Sequence, residues 1–221
     1  MPYNERLIET LSMVMIITSI AAVESQDLRR AAVAYCLQAL LICGLILAFA
    51  AGNPALYLWA AVALLTKAIL TPWFLLRCIA KTGAREVQAI LGFGPSVVIA
   101  SLLLFSFYRL THTYVHALAP TPGAVAGVFR TNLAVALTVF VLGLYAILSR
   151  RDAIKTVIGL CLLENAVHLS LVSLAPGLKE TALIGIATEV VVTVYLLLYI
   201  IAGIREKLGT TDTFALSELH W

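Results

Sequence analysis

Charge is what this sequence has least of. Asp, Glu, Lys and Arg make up 12% of its 221 residues, against about a quarter in ordinary globular proteins. That shortage excludes a water-soluble domain. Nucleic-acid binding is excluded as well: 15 basic and 12 acidic residues leave a net charge of only +3, and the basic residues sit at the ends of apolar runs rather than in a patch. The four cysteines, Cys36, Cys43, Cys78 and Cys161, lie within or beside apolar runs and show no CxxC spacing. They read as small packing residues, with neither a disulfide framework nor a metal site implied. Alternating ten-residue segments are missing, which excludes a membrane β-barrel. Phosphate loop, dinucleotide fingerprint, nucleophile elbow and HExxH are missing too, so redox chemistry would have to reside on other subunits. The opening MPYNERLIET balances acids against bases. It is therefore no signal-peptide n-region, and the first apolar run stays as a membrane helix.

What remains is apolar. Hydrophobic residues make up 62% of the chain, in blocks of roughly twenty, the length that crosses a bilayer core. The expectation is an all-α, polytopic integral membrane protein with seven spans, at residues 7–23, 31–51, 56–80, 86–110, 130–148, 153–174 and 181–203. Span 2 stops at Gly52-Asn53-Pro54, a turn signal. Span 3 carries Lys67 near its middle and Pro72 five residues on; the proline frees the carbonyl of Ala68 and predicts a kink. Gly92-Phe93-Gly94-Pro95 interrupts span 4 early, and the longest loop follows over residues 111–129. His112 and His116 in that loop read as an interfacial pair, since no third ligand is near.

Lys and Arg set the orientation. Ten of the fifteen (Arg29, Arg30, Arg77, Lys81, Arg85, Arg150, Arg151, Lys155, Arg205, Lys207) fall on one side and four (Arg6, Arg109, Arg130, Lys179) on the other, with Lys67 inside the membrane. The N-terminus is thereby expected outside and the C-terminus in the cytoplasm. The run Arg150, Arg151 and Lys155 reads mainly as a topology signal. An internal echo also runs through the chain: the decapeptide from Asp27 to Cys36 resembles that from Asp152 to Cys161 at a constant offset of 125. It predicts a parallel repeat in which spans 1–3 and 5–7 are two copies of a three-helix unit and span 4 connects them.

Lys67, Glu164 and Glu189 each lie about half-way along their spans, and charged groups at that depth usually mark an ion or proton path. His168 stands one turn from Glu164 on the same helix face, and Thr188 and Thr193 flank Glu189. Burial disfavours the charged form of an acid or a base, while a nearby opposite charge favours it. Groups poised between these effects can exchange protons. The competing reading is structural: a buried Glu–Lys pair that only joins helices, or a protonated Glu164 bonded to a carbonyl. Gln38, Cys36 and Cys161 read as packing residues.

From Asn132 to Arg205 the chain resembles the NuoK-type subunit of respiratory complex I and the MrpC-type subunit of cation antiporters. Val157-Ile158-Gly159-Leu160 fits the family's IGLE-type motif, Asn165-Ala166 its Asn-Ala pair, Arg150-Arg151 its basic loop and Glu189 its second glutamate. Cys161 stands where the first glutamate belongs, and Glu164 follows three residues later. With seven spans and the Lys67…Pro72-Trp73 helix ahead of this region, the chain is similar to the hydrogenase-4 component E family. The resemblance implies a cofactor-free, non-catalytic subunit of a complex I-like group 4 NiFe hydrogenase or related redox complex in the prokaryotic inner membrane. Antiporter-like and NuoH-like membrane subunits would be its neighbours, with a hydrogenase module of NiFe and iron–sulfur proteins beyond them. Glu164, Glu189, Lys67 and His168 would take part in proton or sodium translocation. The expected division is a four-helix membrane region over 1–129, a NuoK-like region over 130–207 and a cytoplasmic tail over 208–221. Two rival readings are a stand-alone small-solute transporter and a structural spacer between ion-handling subunits.

Overall fold

A computed structural model describes residues 4–84, 93–118, 127–149, 152–174 and 180–213. Among these the fold is all-helical, with seven helices long and apolar enough to cross a membrane. They are α1 (Glu5–Glu24), α2 (Leu28–Ala50), a third span made of α3 (Ala55–Ala63), a π-helical segment (Leu64–Leu70) and α4 (Thr71–Thr82), then α5 (Phe93–Leu118), α6 (Gly127–Ser149), α7 (Ala153–Leu174) and α8 (Glu180–Leu208).

Local chemistry sets the ends. A helix N-terminus leaves N–H groups unpaired, and a short polar side chain supplies the acceptor. Asn4 Oδ1 accepts from Leu7 N at 3.2 Å, Asp27 Oδ1 from Arg29 N at 2.8 Å, and Asp152 Oδ1 from Ile154 N at 2.9 Å. In the expected turn after α2, Gly52 N bonds Phe49 O at 3.0 Å and Asn53 Oδ1 accepts from Ala55 N at 3.2 Å. Helix α4 stops at Gly83, whose φ of 65° is the left-handed conformation that glycine adopts at least cost.

One expectation is corrected, and another falls partly outside the described residues. Gly94 and Pro95 are helical, within α5 as described from Phe93 onward. Residues 86–92 lie outside the described residues. The expected loop over 111–129 is helical as far as Leu118, with Tyr114 alone off the helical values (φ −114°, ψ 22°). The punctuating residues Pro120, Pro122 and Gly123 come only after that point, and α6 begins at Gly127.

The helices form two rows. The first holds α1, α2 and the third span; the second holds α6, α7 and α8; α5 lies against α6 and α1. Across the rows α1 packs on α6, α2 on α7, and the third span on α8. These are the helices that the offset of 125 matches. Asp27 and Asp152 cap α2 and α7 in the same way, each side chain accepting from the N–H two residues on and each carbonyl from the N–H four residues on. A two-fold axis along the membrane normal would set α1 against α8. The observed pairing is a sideways displacement of one row onto the other.

Helices α6 and α7 touch through glycine. A Cβ on Gly159 would stand 2.8 Å from Ile147 Cγ1 and 3.0 Å from Gly143 O, while a Cβ on Gly143 would meet Gly159 O at 3.0 Å. In lipid no hydrophobic force drives helices together, so close approach at small residues supplies the contact. The core divides along the helix axes into two apolar clusters. One is built around Met15, Ile46, Trp59, Phe129 and Leu169, and the other around Leu28, Leu75, Ile154, Leu162 and Leu198.

Candidate proton-transfer site

The candidate site lies at the seam between these clusters and begins with an irregular helix. The third span loosens to a π-helix over Leu64–Leu70, and both the N–H and the hydroxyl of Thr71 bond Thr66 O, the hydroxyl at 2.9 Å. Pro72 follows at the start of α4, where its missing N–H is absorbed. The carbonyl of Ala68, which the proline deprives of its helical donor, takes a hydrogen bond from the Cys36 thiol at 3.5 Å. Cys36, read from sequence as packing, therefore serves this irregular turn. Short π segments inside α-helices often occur at functional sites, and this one carries Lys67.

Lys67 is buried to within 1% of its surface, with three acceptors from α7 around its ammonium group. Nζ is 3.0 Å from Glu164 Oε1, donates to Asn165 Oδ1 at 2.9 Å, and contacts His168 Nδ1. Of the three N–H bonds an ammonium offers, the geometry assigns hydrogen bonds toward Asn165 and His168, with Glu164 as the ion-pair partner. Glu164 and His168, one turn apart, also approach each other at 3.6 Å. Three polar atoms are buried here without a hydrogen-bond partner: Glu164 Oε1, which meets Lys67 only as an ion pair, Glu164 Oε2, and His168 Nε2. The imidazole ring lies against Trp59, with centroids 5.3 Å apart.

The donor role of Lys67 orients everything beyond it. Asn165 presents its oxygen to Lys67, so its nitrogen donates onward to Gln38 Oε1 at 3.1 Å. Gln38 Nε2 in turn donates to Ser19 Oγ at 2.6 Å, and that hydroxyl donates to Met15 O at 2.6 Å. The result is a one-way chain of donors from the third span through α7 and α2 to the backbone of α1. All of its side chains are fully or almost fully buried. Gln38 is no packing residue, which corrects the sequence reading. Its signal was there: an amide at mid-span is as costly to bury unpaired as it is to explain away. Ser19 gave no such signal, because small hydroxyl residues are common in membrane helices.

Three of the four residues singled out in the sequence, Lys67, Glu164 and His168, thus meet. Glu189 does not join them. It is exposed on the outward side of α8, while Val194, Leu198 and Ile201 of that helix turn inward. Thr188 and Thr193 share its exposure. Cys161 is fully buried within the second apolar cluster.

Lys155 also departs from its sequence reading. It is 1% exposed, and Nζ donates to Ala22 O at 2.6 Å and Val23 O at 3.1 Å, at the C-terminal end of α1. There a cation meets both unpaired carbonyls and the negative end of the helix dipole. Arg150 and Arg151 lie outside the described residues. The start of the tail folds back: Thr211 Oγ1 donates to Asp152 Oδ2 at 2.6 Å, and Ala153 N bonds Thr211 O at 3.1 Å. In α5, His112 donates to Tyr108 O at 2.9 Å, and the side chain of His116 lies outside the described residues. Among the described residues no three metal-ligating side chains cluster.

Chemically, the site is an amine, a carboxylate and an imidazole in mutual contact within an apolar protein interior. A proton on any one of them has an acceptor beside it, and nothing here resembles a nucleophile–base pair for covalent catalysis.

Residues 131–221 match the family model described as NADH-ubiquinone/plastoquinone oxidoreductase chain 4L. Hydrogenase-4 component E of Escherichia coli (strain K12) is 30% identical over 217 residues, covering 96% of this chain and 97% of that protein. The proteins of the same name from Escherichia coli O157:H7 and Shigella flexneri match with the same identity and coverage. No solved structure matches. On this coverage and identity, with seven spans and a chain 4L-like C-terminal region, the chain belongs to the hydrogenase-4 component E family.

Proposed function

We propose that this protein is a non-catalytic, cofactor-free membrane subunit of a complex I-like group 4 NiFe hydrogenase or a related redox complex. Its N-terminus lies outside and its C-terminus inside the prokaryotic inner membrane. Lys67, Glu164 and His168 exchange protons at mid-membrane as electron transfer elsewhere in the complex changes the local field. Glu189 faces a neighbouring membrane subunit, antiporter-like or NuoH-like, and carries the path across that boundary. The hydrogenase module with its NiFe and iron–sulfur centres is reached through those neighbours.

The observation that carries this reading is the buried Lys67 ammonium, set between two apolar clusters with a carboxylate and an imidazole against it. An ion pair that served only as glue would have no need of an imidazole that can take the same proton. The test is pumping by the purified complex in vesicles. Glu164→Gln and Glu189→Gln are each expected to abolish coupled ion movement while dye-linked hydrogenase activity stays near its original level. Unchanged pumping in both variants refutes the proposal. Gentle solubilisation should bring iron–sulfur and nickel proteins down with this chain; a chain that runs alone refutes the subunit assignment.

A further inference from the structure

A second feature lies away from the polar seam, on the outside of the bundle where α4 and α8 end together. The two helices are tied there: Arg205 Nε donates to Thr82 O at 3.1 Å, and the Cys78 thiol to Leu198 O at 3.6 Å. Between them runs a groove of about 400 Å³, walled by Trp73, Phe74, Arg77, Lys81, Tyr195 and Tyr199. It continues at Lys81 and Tyr199 into a second hollow of about 560 Å³ that reaches Gly203, Glu206 and Lys207.

The lining changes character with depth. Trp73, Phe74 and Tyr195 form a row of rings at its inner end, with centroids 5.0 and 5.1 Å apart. One turn outward, Arg77 lies over the Trp73 ring at 5.3 Å. A further turn out stands Lys81, 3.7 Å from Glu206, with both side chains mostly exposed. Lys207 completes the rim, so three cations face one carboxylate. From Trp73 to Lys81 the helix rises about 12 Å. Gly203 leaves the floor open, since a Cβ there would meet nothing within 4 Å.

We propose that this groove binds an anionic phospholipid of the bilayer. Acyl chains would lie along the aromatic wall and the phosphodiester would sit among Arg77, Lys81 and Lys207. Each part of the groove has a matching part in such a molecule. Half-exposed aromatic rings favour the depth where chains meet headgroups. Basic pockets between helices at this boundary attract anionic headgroups, and Arg offers a planar fork for two phosphate oxygens. Glu206 holds Lys81 only loosely at 3.7 Å, so a phosphate can take its place. A zwitterionic lipid supplies the same chains but brings its own cation to an already cationic rim.

The test uses the full-length chain, stripped of lipid in detergent and followed by native mass spectrometry. Phosphatidylglycerol is expected to be retained at least tenfold better than phosphatidylcholine with the same acyl chains. Arg77→Gln together with Lys81→Gln should weaken phosphatidylglycerol retention about twenty-fivefold, two contacts of roughly fivefold each. Gly203→Phe fills the groove without changing its charge and should lower retention of both lipids; it keeps the test decisive if the double variant loses its helical circular dichroism. Equal retention of the two lipids overturns the proposal, as does displacement by an equal concentration of inorganic phosphate. So does a photo-reactive residue in place of Gly203 that, in the purified complex, captures a protein chain rather than lipid.

Discussion

The pairing of Lys67 with Glu164 can be tested in the isolated chain, apart from any pumping. At 3.0 Å and an effective dielectric of about 20, two unit charges attract by about 5.5 kcal/mol. Desolvation of both groups offsets most of that, so the pair need contribute little net stability. Breaking it is different, because the partner left behind is a buried charge without compensation. Lys67→Met is expected to cost about 3–5 kcal/mol, up to the point where Glu164 takes a proton and gives up its charge. Glu164→Gln should cost less, since a glutamine oxygen still accepts from Lys67. In the double variant no charge remains, so the combined cost should fall short of the sum of the single ones by about 2 kcal/mol or more. Loss of the Asn165 contact is common to both variants that lack Lys67 and cancels in the cycle. The assay is equilibrium unfolding of the four detergent-solubilised proteins, followed by far-UV circular dichroism. Additivity within about 0.5 kcal/mol would refute the ion pair as a coupled unit.

Two other substitutions probe the scaffold around the site. Gln38→Leu strands the Asn165 nitrogen and removes the donor to Ser19, which should cost about 1–3 kcal/mol in the same unfolding assay. Ser19→Ala placed on top of it should add little, because the chain is already cut. Gly159→Leu drives a side chain into Ile147 and the Gly143 carbonyl at 2.8 and 3.0 Å. A loss of about 1–3 kcal/mol or more is expected, whereas the same change at Gly203, where space is open, should be close to neutral.

How far the sequence alone reached follows from what a membrane helix does and does not encode. Number and depth were legible. Seven apolar blocks gave seven spans, because the bilayer sets their length, and a residue's place along its span gives its depth at 1.5 Å per residue. Lys67, Glu164 and Glu189 could therefore be set at one level, and the one-turn spacing of Glu164 and His168 put those two on one face. Asp27 and Asp152 were legible only as the openings of the two echoing decapeptides; that they cap α2 and α7 came from the structure. Direction around the helix axis was not legible. In water an apolar stripe tells which side faces the core; in lipid the outside is as apolar as the inside, so Glu189 and Glu164 looked equivalent. Only packing turned Glu164 inward onto Lys67 and left Glu189 on the outer face of α8. The same limit hid Gln38 and Ser19, whose partners stand 127 and 19 residues away, and the contacts of Lys155, which read as a topology signal and which α7 carries under the end of α1. The sequence by itself determined which polar groups enter the membrane and how deep. Tertiary structure decided which of them meet, because that depends on rotations that no apolar pattern records.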